Sequence, residues 1–124
     1  MSTLSGLLPT IDTTQTVQAS VITMSECAYV KGQEPLVTET MATTVTISAV
    51  LKESATLYAV AIVVGSDSAE PLPEQIYLGL SATNKEVVAG SVKATGNAIT
   101  ELQLTGLKPY EFYLIYVTCG NDYP

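Results

Sequence analysis

Cys27 and Cys119 are the most reactive side chains in this chain of 124 residues. A thiol can act as a nucleophile, as a metal ligand or as half of a disulfide. The first role needs a base beside it, and the sequence contains no His, so Cys–His and Ser–His systems are excluded. The second needs a larger ligand set than two Cys without His can supply, so no metal site is expected. Cross-linking and two buried free thiols both stay open at this point. Two cysteines alone do not define a redox compartment.

The remaining polar candidates point away from catalysis. Glu70 with Glu74, and Glu34 with Glu39, are carboxylate pairs of the type used in acid–base chemistry, but acidic pairs on loops are usually solvated. Asp67, Glu70 and nearby carbonyls offer oxygen to calcium without a recognised ligand spacing. No glycine-rich phosphate loop is present. We therefore expect no catalytic residues, no cofactor and no enzyme. Asn84, Asn97 and Asn121 all miss the Asn-x-Ser/Thr pattern. Thr3, Thr10, Thr13, Thr14 and Thr16 are candidates for O-linked sugar, although Thr is equally a good strand residue.

Composition narrows the class further. An apolar fraction of 47% with 14% charged residues argues for a packed core and against disorder. The length suits one domain. A net charge of −7 and only five cationic residues disfavour nucleic acid and anionic membrane surfaces. The longest apolar run, Leu57 to Val64, falls well short of the ~20 residues of a membrane helix, so no membrane insertion is expected. Met1 to Pro9 lacks the basic region and apolar length of a secretory signal.

Period-two alternation dominates the elements that must position these groups. In 43–51, Val45, Ile47, Ala49 and Leu51 face one way and Thr44, Thr46, Ser48 and Val50 the other, which predicts a half-buried strand. Further strands are expected at 56–64, which is apolar on both faces, and at 86–94, 98–104 and 110–119. Residues 27–38 read as the first strand of the domain. Residues 13–24 alternate imperfectly, with Val17, Ala19 and Val21 on one face and Ile22 and Met24 on the other. Around 73–79 one short helical piece is expected, because Pro73 suits a first helical position, Glu74 the first turn and Gly79 the stop. Strands at roughly ten-residue spacing joined by Gly and Pro turns indicate an all-β sandwich.

Leu107, Pro109 and Tyr113, followed by alternating Ile115 and Val117, resemble the start of the penultimate strand of fibronectin type III and related immunoglobulin-like domains. Ile47 and Leu51, then Tyr58 and Val60, fit that family's second and third strands. The resemblance covers about residues 26–119. It implies a two-sheet sandwich, with Tyr113 as a tyrosine-corner residue whose hydroxyl returns to the backbone just upstream. The family's core Trp is absent. The strand expected after Tyr110–Cys119 is also missing, while a spare strand candidate, 13–24, lies at the other end. By the family's topology Cys27 and Cys119 lie at one pole and flank the vacant position. A disulfide between them would close a loop of about 90 residues, contribute ~4–5 kcal/mol in the chain-entropy account and imply an oxidising setting.

The expected architecture is therefore an extension, residues 1–24, and an immunoglobulin-like sandwich over 25–124 that lacks its final strand. The groove beside the last strand, lined by Tyr113, Ile115 and Val117, would accept Val17, Ala19 and Val21 of a donor strand that also carries Ile22. An unpaired edge of this kind is a template for another chain. Such a contact is heterologous and propagates into a linear or helical homopolymer, so the expected partners are copies of the chain itself. Phe112, Leu114 and Tyr116 on the last strand's other face form an apolar assembly face, to be covered by another subunit or by the chain's own N-terminal segment. This reading is a structural subunit of an extracellular or cell-surface fibre. Two others stand beside it: a carbohydrate- or protein-binding module excised from a multidomain surface protein, and a single copy closed by its own residues 13–24. For sugar binding, Tyr77, Tyr110, Tyr116 and Tyr123 are the candidate platforms.

Overall fold

Alternation in the sequence becomes two facing sheets in the computed structural model, which describes residues 16–23, 27–65 and 69–120. The strands are β1 (Gln18–Thr23), β2 (Leu36–Thr40), β3 (Val45–Val50), β4 (Ala55–Val63), β5 (Val88–Ala94), β6 (Ile99–Leu104) and β7 (Phe112–Gly120). Among the described residues one helix, α1 (Pro73–Leu78), lies between β4 and β5. One sheet has the order β2-β3-β6 and the other β1-β7-β4-β5. The result is an all-β, two-sheet sandwich compatible with the immunoglobulin and fibronectin III class.

The inner faces form the main core. Val45, Ile47 and Ala49 of β3 and Leu102 and Leu104 of β6 meet Leu57, Ala59 and Ala61 of β4 and Tyr113, Ile115 and Val117 of β7. Period two accounts for this: in β6 Thr100, Leu102 and Leu104 are buried while Ile99, Glu101 and Gln103 are exposed. A second cluster lies on the outer face of the four-stranded sheet. There Tyr58, Val60 and Ile62 of β4 and Tyr116 of β7 pack beneath Ile76 of α1. This is why β4 is apolar on both faces.

α1 begins where Pro73, which has no N–H to leave unbonded, occupies the first turn. The Gln75 side chain accepts the Leu72 N–H at 2.8 Å. Gly79 ends the helix in the left-handed conformation, φ 76°.

Two expectations are corrected. Residues 27–38 do not form one strand. Tyr29 makes an isolated antiparallel bridge to Leu51, the chain turns at Lys31-Gly32 with Gly32 at φ 82°, and β2 starts after Pro35. A residue at positive φ followed by a ring without an N–H interrupts the ladder. Tyr58 and Val60, aligned by the resemblance with the family's third strand, belong to the outer cluster, while Leu57 and Ala59 of the same strand face the inter-sheet core.

Candidate functional site

The position beside β7 is filled by β1. The two strands run parallel, with Gln18 opposite Phe112, Ala19 opposite Tyr113, Val21 opposite Ile115 and Thr23 opposite Val117. On its other side β7 pairs antiparallel with β4. Among the described residues β1 is thus an edge strand, with β7 as its one ladder neighbour.

Each candidate donor residue has a definite location. Val17, just ahead of β1, is 1% exposed, and Ala19 and Val21 are partly buried against the same inter-sheet core. Tyr113, Ile115 and Val117, expected to line the groove, are buried in that core at 6%, 0% and 0% exposure. Ile22 points to the opposite face and packs against the cluster of Tyr58, Tyr116 and Ile76. The backbone N–H of Val17 donates to Met41 O at 2.8 Å, so the entry to β1 is tied to the residue after β2 as well as to β7. Residues 13–15 and Met24 of the donor candidate lie outside the described residues.

Cys27 and Cys119 form a disulfide with their Cα atoms 5.8 Å apart, an ordinary separation for such a bridge. It sits at the pole where β1 ends. Thr118, fully buried, has its Oγ1 3.8 Å from Cys27 Sγ. The bridged sulfur carries no hydrogen, so the threonine hydroxyl donates. The Tyr77 hydroxyl donates to Cys119 O at 3.0 Å and its ring stands edge-on to Tyr58 with centroids 4.9 Å apart. A Cβ on Gly120 would come within 3.1 Å of the Tyr77 ring and hydroxyl. α1 is therefore clasped to the end of β7 through Tyr77.

At the other pole the Tyr113 hydroxyl accepts the Lys108 backbone N–H at 2.9 Å. This is the return to upstream backbone expected of a tyrosine corner. Leu107, buried at 2%, belongs to the inter-sheet core, and its N–H donates to Thr43 O at 2.9 Å.

Sequence reasoning left the cover of the outer face to another subunit or the N-terminal segment. Over Tyr116, 7% exposed, the cover is α1 together with Ile22. Leu114 is partly buried there and Phe112 is 58% exposed. The signal for α1 was present in Pro73, Ile76 and Gly79, but a six-residue helix has too few positions to reveal which sheet it covers. Of the tyrosines considered as sugar platforms, Tyr110 is 77% exposed and Tyr116 is buried. Tyr77 bonds Cys119, and Tyr123 lies outside the described residues.

Tyr29, 8% exposed, belongs to the inter-sheet core with Cys27 and Cys119 at its margin. Its hydroxyl has no hydrogen-bond partner among the described residues. Desolvation by burial pushes its pKa up to about 12. Among the described residues no group of three His, Cys, Asp or Glu is placed to hold a metal ion. Asp67, the calcium candidate, and Thr3, Thr10, Thr13 and Thr14 lie outside them. No helix of the described residues is long and apolar enough to cross a membrane.

The chain matches no known protein family, and neither a curated protein nor a solved structure is similar to it.

Proposed function

We propose that this chain is a structural subunit of an extracellular fibre, in which β1 of one copy enters the neighbouring copy at the place it occupies in its own body here. One observation carries the reading: a strand that among the described residues is paired along one edge places Val17, Ala19 and Val21 against the core and runs parallel to its neighbour, β7. Every copy offers the same row of groove residues, so β1 makes identical contacts at home or away. Exchange of an identical element between copies is a low-cost route to assembly, and a contact that is not self-complementary propagates.

The attachment combines side-chain burial with a ladder of backbone hydrogen bonds. Each buried aliphatic side chain contributes ~1–2 kcal/mol and each ladder hydrogen bond roughly 1 kcal/mol. Ile22 adds contacts on the opposite face. The disulfide supports an oxidising, extracellular setting.

Size-exclusion chromatography and electron microscopy test the proposal. The chain is briefly unfolded and refolded at high concentration, so that β1 can meet another copy's groove. Filaments are expected from the full chain and none from a chain lacking residues 1–24. Adding a peptide of residues 13–24 should stabilise the truncated form. A well-folded monomer from both chains would overturn it.

A further inference from the structure

We infer that the Cys27–Cys119 disulfide gates strand exchange: it holds the body of the sandwich together while β1 is out of its groove. The inference deepens the proposed fibre reading, but the opening it describes is a property of one chain.

Position along the chain is the first argument. β1 ends at Thr23, before Cys27. Strands β2 to β6, α1 and β7 as far as Cys119 all lie between the two cysteines, which are 92 residues apart in sequence. The covalent loop therefore encloses the acceptor and excludes the donor. A link from β1 to the body would have prevented exchange, and a link within one sheet would have left the two ends of the body independent.

The bond also has a telling location on β7. β1 pairs with Phe112 to Val117. Cys119 comes just beyond the last paired residue. The bridge thus sits at the mouth of the groove and occupies none of the positions β1 needs. Other ties at that mouth also survive withdrawal of β1: the Thr118 hydroxyl at Cys27 Sγ and the Tyr77 hydroxyl on Cys119 O. What withdrawal breaks is the parallel ladder, the packing of Val17, Ala19, Val21 and Ile22, and the bond from Val17 N–H to Met41 O.

Closing a loop of this length disfavours global unfolding by roughly a thousand-fold to a few thousand-fold in the chain-entropy account. The emptied body exposes the flanks of Tyr113, Ile115 and Val117 and loses a row of core side chains. With the bridge, it stays well separated from the unfolded chain. Without the bridge, withdrawal of β1 and collapse of the body become one event. Forming the bridge removes two protons and two electrons from the two thiols, which a disulfide oxidant accepts as it is reduced to thiols by exchange. Exchange with the body still folded is therefore favoured where such an oxidant is present.

Hydrogen–deuterium exchange on the dilute, full-length chain tests the gate. In the oxidised protein the ladder amides of β1 should exchange through an opening at least a hundred-fold more frequent than the one that exposes β3 and β4. In a Cys27→Ser/Cys119→Ser variant the body should open roughly a thousand-fold more often, and β1 and the body should exchange together. A single opening shared by β1 and the body in the oxidised protein overturns the inference. So does an unchanged gap in the variant. Should the variant not fold, a fluorescent peptide of residues 13–24 decides with the oxidised chain alone. The peptide should enter the groove while the circular dichroism of the body stays constant, and entry only at the rate of global unfolding is the contrary result. Two-tier exchange with no filaments at any concentration would sink the fibre reading and leave the gate standing. Filaments with single-tier exchange would do the reverse.

Discussion

Replacing Val17 with Ala separates what β1 contributes to stability from what it contributes to exchange. Val17 is 1% exposed. The change removes two methyl groups' worth of buried surface, ~0.8 kcal/mol each, and leaves a small cavity, so the total loss is ~2 kcal/mol. With a denaturant slope of about 2 kcal/mol/M, the urea midpoint should fall by roughly 1 M. The effect on assembly is different in kind. An exchanged β1 makes the same contacts as a resident one, so the substitution weakens both alike and leaves the ratio of fibre to monomer unchanged. Withdrawal, however, becomes easier by those ~2 kcal/mol, and exchange between differently labelled copies should accelerate about 30-fold. Mixing donor- and acceptor-labelled protein and following energy transfer reads this rate, with urea titration as the companion measurement. A midpoint within ~0.2 M of the parent would refute the buried placement of Val17, since exposed substitutions cost this little. A lowered midpoint with no acceleration would show that exchange does not pass through withdrawal of β1.

Three further substitutions test the frame of the sandwich. Tyr113→Phe leaves the Lys108 N–H without its acceptor and should cost ~1 kcal/mol, read by calorimetry as a melting temperature ~3–5 °C lower. Gly96→Ala places a Cβ 3.0 Å from Glu53 Cα and Lys52 O. Both are backbone atoms that cannot step aside, so a loss of ~1–3 kcal/mol is expected in urea unfolding. Tyr29→Phe deletes a buried hydroxyl that has no partner among the described residues and should raise stability by ~1 kcal/mol. The parent's folded state holds the Tyr29 proton to about 12, against 10.0 for the unconstrained group. The associated stability is therefore fully present below pH 10 and is lost as pH rises through the folded value. Denaturation followed from pH 9 to 12 should show this decline in the parent and a flatter profile in the variant.

What was legible in the sequence follows from where alternation carries phase. Val45-Thr-Ile47 and Thr100-Glu-Leu102 each have one wet face, so their strands and inner sides could be read directly. Leu107, Pro109 and Tyr113 were legible as a corner only through their resemblance to the fibronectin type III pattern, which implied the backbone partner that Lys108 N–H supplies. Leu57 to Val63 carries no phase, since both faces are covered, and only the register with β7 shows that Leu57, Ala59 and Ala61 face the other sheet. The break in 27–38 lies at Gly32 and Pro35, which the expectation of a single strand passed over. Alternation made legible that Val17, Ala19 and Val21 share one face and Tyr113, Ile115 and Val117 another; that the two sets lie side by side comes from the pairing of β1 with β7. The direction of β1 was not legible, because a short alternating strand places the same side chains inward whether it runs parallel or antiparallel.

The disulfide at the groove mouth also decides how a fibre of such subunits would bear load. Tension passing through a subunit would enter at β7, cross from Cys119 to Cys27 and leave along β1 toward the next copy. The covalent route bypasses β2 to β6, so the sandwich itself would carry almost none of the pull. Because β1 lies parallel to β7, the donor's attachment and the acceptor's bridge are at the same end of the joint. The ladder would then be peeled rung by rung from Thr23 opposite Val117, not sheared all at once as an opposite orientation would require. Fibres that keep this register would yield at low force, at their joints, with every body still folded and ready to be refilled.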